Sequence, residues 1–252
     1  MKKEKVLILV VAYNAEKTII KLLDRLPKET INNLDEILIA DDASVDSTSK
    51  IVEWYKKAKD VAKLKIVKHK KNKGYGGNQK WGYRYAIKNK FDVVVMIHGD
   101  AQYPPEYIPQ IIKPILENKA DFVFGSRMAG HPLKGRMPLY KFFGNIFLTS
   151  VENFFLGTKL SEFHSGFRAY RVKTLSQLPL KFNSDGFHFD SEIIFQLVGS
   201  KKRISEIVIP TFYGDEKCNV KVINYGLNIL KELAKYLLNK YNIRREEKYE
   251  VE

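Results

Sequence analysis

An α/β fold, with a mostly parallel central sheet sandwiched by helices, is what this sequence predicts, and three observations lead there. Val6 to Ala12 and Phe91 to Ile97 are apolar runs rich in β-branched residues, as in strands buried on both faces. Helical periodicity follows the first run, with Ile19, Ile20, Leu22, Leu23 and Leu26 on one side of a segment from Glu16 to Leu26. Such runs end in loops carrying Asp, Asn or Gly, and it is beyond the carboxyl ends of its strands that an open α/β sheet binds ligands.

In chain order, the first strand leads to Tyr13, whose ring suits stacking on a nucleobase, and to Asn14, a suitable helix cap. A second strand, Glu36 to Ala40, runs into Asp41 and Asp42. Adjacent carboxylates repel each other unless one binds a donor or a cation, so Asp42 is a candidate acceptor for a base or a ribose hydroxyl. Asp46 or Ser47 caps the next helix, Thr48 to Lys59. A third strand, Leu64 to Lys68, precedes a basic glycine-rich loop at residues 69–78 and a helix from Gln79 to Lys88. Glycine lets backbone approach a ligand and a helix start favours phosphate, but this spacing fits neither the Rossmann nor the Walker pattern.

The strand ending at Ile97 opens into His98-Gly99-Asp100-Ala101-Gln102-Tyr103-Pro104-Pro105-Glu106. Extended backbone puts His98, Asp100 and Gln102 on one face. Oxygens of Asp100 and Gln102 suit a hard divalent cation that takes substrate phosphates as its other ligands. The alternative is a solvated turn in which Asp100 caps a helix from Glu106 to Lys119. A strand from Ala120 to Gly125 brings Arg127 to the same edge, where a guanidinium clamps phosphate bidentately. Residues 128–136 read as a mobile lid. Pro138 to Leu156 is an aromatic helix suited either to a core or to a membrane interface.

Leu160 to Tyr170 reads as a turn entering an edge strand, with Glu162, His164 and Arg168 alternating along it. Asp190 stands in the first turn of a helix reaching Val198, as a cap or as a general base. After a last strand, Ile204 to Ile209, the segment from Val220 to Tyr241 sets Ile223, Leu227, Leu230, Ala234, Leu237 and Tyr241 on one stripe. Packing of that stripe on the domain is favoured over membrane contact.

The 252 residues suit a catalytic domain at 1–218 followed by a C-terminal amphipathic helix and charged tail at 219–252. The excess of 43 Lys and Arg over 29 Asp and Glu, a net charge of +14, calls for an acidic partner. Nucleic acid is excluded as the expectation, because the basic residues are spread along the chain and form no recognisable module. The single cysteine, Cys218, excludes a disulfide framework and cysteine-rich zinc sites. With no membrane-length apolar stretch and no signal-peptide pattern, the expected location is cytoplasmic, with peripheral contact at the inner face of the cell membrane.

Taken together, Val10-Val11-Ala12-Tyr13-Asn14, Asp41-Asp42-x-Ser44-x-Asp46-x-Thr48, His98 to Pro105, Gly125-Ser126-Arg127 and Ser165-Gly166-Phe167-Arg168 resemble a family-2 glycosyltransferase of the GT-A nucleotide-diphospho-sugar transferase fold. The resemblance spans nearly the whole chain, and within the family it is most similar to the dolichyl-phosphate mannose or glucose synthase branch. It implies transfer of a hexose, with inversion, from a nucleoside-diphosphate sugar to a polyprenyl phosphate such as dolichyl or undecaprenyl phosphate, assisted by Mg2+ or Mn2+. It implies Tyr13 and Asp42 at the nucleotide, Asp100 and Gln102 at the metal, Arg127 at phosphate, and Lys217 near a basic position of the branch.

Two positions depart from the family pattern. His98 stands where the family usually has an aspartate, which tilts metal preference toward manganese if the imidazole ligates. Ala15 stands where the family has an acidic residue. The acceptor decides what else is needed. A phosphate monoester is already a nucleophile at pH 7 and needs only positioning, by Arg127, Arg136 or Arg168. A hydroxyl on a surface polysaccharide or glycoconjugate needs a base, with Asp190 first and Glu192 second. A third expectation, of another class, is a non-catalytic sugar-nucleotide-binding protein in which the missing aspartate marks lost catalysis.

Overall fold

The structure, a computed structural model, describes residues 3–210 and 222–251. Lys217 and Cys218 lie outside the described residues. The elements in order are β1 (Val6–Ala12), α1 (Ile19–Asp24), α2 (Lys28–Asn33), β2 (Glu36–Asp41), α3 (Thr48–Ala58), β3 (Leu64–Lys68), α4 (Tyr75–Lys88) and β4 (Val93–His98). Then come α5 (Ile108–Leu116), β5 (Phe122–Ser126), α6 (Leu139–Leu156), β6 (Arg168–Arg171), α7 (Val172–Gln177), α8 (Phe189–Gly199), β7 (Ile204–Val208) and α9 (Val222–Lys240).

The seven strands form one sheet in the order β3-β2-β1-β4-β6-β5-β7. Every pairing is parallel except those of β6, which runs antiparallel to both β4 and β5. Because side chains alternate along a strand, β1 feeds two cores. Val6, Ile8 and Val10 pack with Leu22, Val52 and Ile111 on the α1, α3 and α5 side. Leu7, Leu9 and Val11 pack with Tyr83, Phe195 and Leu233 on the α4, α8 and α9 side. Registers pairing Ala12 with Asp41 and Val11 with His98 align the carboxyl ends of β2, β1 and β4.

Four local expectations are corrected. Asn14 does not cap α1: it has φ +51, its N–H donates to Ser44 Oγ at 2.8 Å, and its Oδ1 accepts from Val45 N–H at 3.0 Å, so it ties two strand-end loops together. The helix after the glycine-rich loop starts at Tyr75, inside that loop. A Cβ on Gly76 would come within 2.5 Å of the Ser184 carbonyl and 2.6 Å of Phe189 Cβ, so this glycine serves contact with the chain before α8 rather than with a ligand.

β6 is no edge strand but an interior one. The arginine that suggests an edge is satisfied inside: Arg168 donates to the carbonyls of Ser165, Asp190 and Phe163 at 2.6, 2.8 and 2.8 Å. Finally, α9 buries Ile229, Glu232, Leu233 and Tyr236, while Ile223, Leu227 and Tyr241 face outward. Polar-tipped residues share the packing face with Ile229 and Leu233, because Glu232 and Tyr225 find buried partners at Lys248 and His164.

Candidate active site

The loop from Gly99 to Glu106 is fixed to α1. Thr18 Oγ1 donates to the Gly99 carbonyl at 2.8 Å, and Arg25 donates to the Ala101 carbonyl and bidentately to Glu106. Within it, Asp100 Oδ1 accepts the Gln102 N–H at 3.1 Å, an Asx turn around Ala101 at φ +60. Next door, Asp41 is fully buried and accepts from Ser44 and Ser49. Asp42 accepts the Lys73 N–H at 2.7 Å; burial raises its pKa, and the Lys73 amide opposes that. Repulsion in the acidic pair is thus answered by separate donors. Tyr13 stands 49% exposed beyond β1, a half-open aromatic face at this edge.

His98 lies at the middle of the constellation. Burial lowers its pKa, with Asp100 and Asp190 opposing and Arg127 and Arg168 reinforcing the shift. Its Nε2 is 2.9 Å from Tyr75 Oη, and that hydroxyl donates to Asp190 Oδ2 at 2.7 Å. Since a phenol has one proton and the Asp190 carboxylate accepts it, His98 Nε2 donates to Tyr75. With Nε2 engaged by Tyr75, the expectation of His98 as a metal ligand finds no support through that nitrogen. Gly166 is required beside it, because any Cβ at that position would overlap the His98 ring.

Asp190 neither caps α8 nor opens to solvent. It is 4% exposed; Oδ2 accepts from Tyr75, Oδ1 accepts from Gln79 at 3.2 Å, and the Arg168 guanidinium stands 3.6 Å away. Glu192 is committed elsewhere, to the Ser184 N–H and Lys248. Arg168 is buried, so of the arginines expected at phosphate it serves the interior. Arg127 does reach this rim, ion-paired to fully buried Glu162 at 2.6 Å and donating to the His164 carbonyl at 3.0 Å. Its guanidinium holds the Glu162 carboxyl below its ordinary range despite burial. Phosphate binding there means sharing a guanidinium already oriented by Glu162.

Among the described residues, one His/Cys/Asp/Glu group has ligand spacing, His188 with Glu192 and Glu232, whose ligand atoms lie within 4.8 Å. Lys248 bonds both carboxylates, at 2.6 and 2.7 Å, so this cluster anchors the chain after α9. Asp100 belongs to no such group. Its single carboxylate fits a hard cation only if phosphate oxygens complete the coordination, which is how a nucleoside diphosphate presents itself.

Residue reading from the sequence missed Tyr75 and Gln79, which hold Asp190, and Tyr103, whose Oη accepts the Gly166 N–H at 2.8 Å. Tyr75 was embedded in the glycine-rich loop and Tyr103 in the Asp100 loop. Their positions were visible, but not the partners the fold brings to them.

A mostly parallel sheet flanked by helices, with Asp42, Tyr13, Asp100 and Arg127 near its rim, is the α/β architecture of the nucleotide-diphospho-sugar transferases. The chain belongs to glycosyl transferase family 2, whose pattern matches residues 7–178. It is 30% identical over 216 residues to the UDP-N-acetylglucosamine–dolichyl-phosphate N-acetylglucosaminyltransferase of Methanococcus voltae, covering 82% of this chain and 85% of that protein. To the undecaprenyl-phosphate mannosyltransferase of Micrococcus luteus it is 28% identical over 213 residues, covering 81% and 82%. In fold it is similar to glucosyl-3-phosphoglycerate synthase of Mycobacterium tuberculosis, solved with Mn2+, UDP and phosphoglyceric acid. That likeness has a TM-score of 0.67 at 14% identity and covers 92% of this chain and 78% of that one.

Proposed function

We propose that this enzyme transfers a hexose, with inversion, from a nucleoside-diphosphate sugar to a polyprenyl phosphate, meeting the lipid at a membrane surface. The state of Asp190 carries the reading. Both its oxygens accept from protein donors and it is nearly sealed from solvent, a poor arrangement for deprotonating a sugar hydroxyl. A prenyl phosphate asks for no base, only for orientation, which Arg127 supplies on its Glu162 support. Tyr13 and Asp42 take the base and ribose, and Asp100 with Gln102 would hold a Mg2+ or Mn2+ ion. When bound, that ion stabilises charge on the departing diphosphate. Lys217, outside the described residues, stays a candidate donor-binding residue on the resemblance alone.

The membrane part rests on α6 and α9. Phe143, Phe147 and Phe154 of α6 are 63, 61 and 80% exposed on one stripe, and Ile223 and Leu227 of α9 are exposed alongside. Gly226 places α9 against Leu148 of α6, so the two sets adjoin. Lys134, Lys159 and Lys231 are exposed near these helices, suited to anionic headgroups. No helix among the described residues is long and apolar enough to cross a membrane.

The test supplies UDP-glucose, UDP-N-acetylglucosamine and GDP-mannose in turn, with Mn2+ or Mg2+, to the protein on anionic vesicles containing undecaprenyl or dolichyl phosphate. Sugar appears on the prenyl phosphate and the transfer is abolished in Asp100→Ala. Transfer only to free glycan hydroxyls establishes the hydroxyl-acceptor reading instead, and nucleotide binding without any transfer or hydrolysis establishes a non-catalytic one.

A further inference from the structure

Three elements meet at a buried imidazole that the chemistry above leaves unused. His164, in the loop before β6, has Nδ1 3.0 Å from Tyr225 Oη of α9 and Nε2 3.3 Å from Glu152 Oε2 of α6. Its side chain is 7% exposed and that of Glu152 is 0% exposed. Neither Glu152 oxygen, nor His164 Nε2, nor Ser191 Oγ of α8 has a partner of hydrogen-bonding geometry, although all stand together in the interior. A fully buried carboxyl whose neighbours, the His164 imidazole and the Ser191 hydroxyl, stand outside hydrogen-bonding geometry is costly for packing alone, which calls for an account beyond structure. The backbone of the same residue supplies one: the His164 carbonyl accepts from Arg127 Nη2. Asn145 of α6 reaches Glu162 Oε2, the other support of Arg127, at 3.3 Å.

We infer that His164, gripped by Tyr225 and Glu152, is a positioning residue that transmits the placement of the two outward-facing apolar helices to Arg127. Seating of α6 and α9 on the surface that holds the acceptor then sets the guanidinium that meets phosphate. The inference deepens the function proposed above and rests on it for the role of Arg127, but the mechanical link does not depend on that role. Tyr225 and Glu152 hold the ring from opposite sides, so loss of either frees the loop, whereas a neutral isostere of Glu152 keeps the grip.

The experiment follows the Arg127 Nε–H, which donates to Glu162, by 15N NMR solvent exchange in the full chain. Exchange rises about tenfold or more in His164→Ala and in Tyr225→Phe, and Glu152→Gln keeps the wild-type rate within about twofold while Glu152→Leu does not. Tyr225→Phe removes only a hydroxyl and carries the test if His164→Ala fails to fold. In the vesicle assay Tyr225→Phe lowers kcat/KM for undecaprenyl phosphate by about tenfold. Unchanged Arg127 exchange in both His164→Ala and Tyr225→Phe overturns the link. Undiminished transfer by Arg127→Ala instead overturns the phosphate role of Arg127 and leaves the exchange result standing by itself.

Discussion

Replacing Glu152 by Gln should stabilise the protein at neutral pH and do so progressively less as the solution is acidified. Burial pushes the Glu152 carboxyl up to about 8 from an ordinary 4.5, with Ser191 and Arg168 opposing the shift. The unfolded chain therefore releases this proton near 4.5 while the folded chain keeps it to about 8. The group's folded pKa is raised, so its contribution to stability is whole below about 4.5 and is lost as pH climbs toward 8. Each pH unit inside that window costs ~1.4 kcal/mol, so between pH 5 and 7.5 wild type loses roughly 3 kcal/mol that the Gln variant does not.

For a chain of this size that is a relative Tm gain of about 6–12 °C. Burial also holds His164 down at about 3, so its contribution is whole above 6.5 and lost as pH falls, in both proteins. Urea melts of both at pH 5 and 7.5 measure the gap. A gap independent of pH, or one that shrinks as pH rises, would mean that Glu152 is ionised in the fold and the reasoning is wrong.

Asp190→Asn leaves the buried Arg168 guanidinium facing no carboxylate and should cost about 3 kcal/mol, the lower end for a broken buried pair because three carbonyls still accept from it; an unchanged urea midpoint would refute this. Gly76→Ala drives a methyl into the Ser184 carbonyl and Phe189, at a cost of about 1–3 kcal/mol by calorimetry, and a variant as stable as wild type contradicts the packing described. Phe147→Ser and Phe154→Ser should each weaken sedimentation with anionic vesicles by about tenfold, as expected for partial loss of a buried aromatic side chain, while leaving the urea midpoint within about 0.5 kcal/mol. Equal sedimentation would remove the membrane face.

β1, β2 and β4 were legible because they are buried on both faces and read as apolar runs, and β3, only partly buried, still fell on Leu64–Lys68 as the pattern suggested. The sequence pattern also led to the rim residues, since each apolar run stops where a polar loop begins. It failed where polar side chains are satisfied internally. Glu162, His164 and Arg168 made β6 look like an edge, and Glu232 and Tyr225 hid part of the packing face of α9. The same blindness covered the site: Asp190 suggested a cap or a base because Tyr75, 115 residues away, is invisible to local pattern. His98 suggested a ligand because nothing nearby in sequence announces the tyrosine hydroxyl its Nε2 meets.

The reversed strand between β4 and β5 has a consequence for how the family can diversify. Parallel neighbours contribute to the rim where they leave the sheet, but β6 contributes where it enters, so the stretch carrying Glu162, His164 and Ser165 arrives there straight from α6. Insertions or replacements between α6 and β6 can remodel the rim around Glu162 and His164 without shifting the register of β1, β2 and β4. One portion of the molecule is thereby free to change customers while the other keeps its supplier.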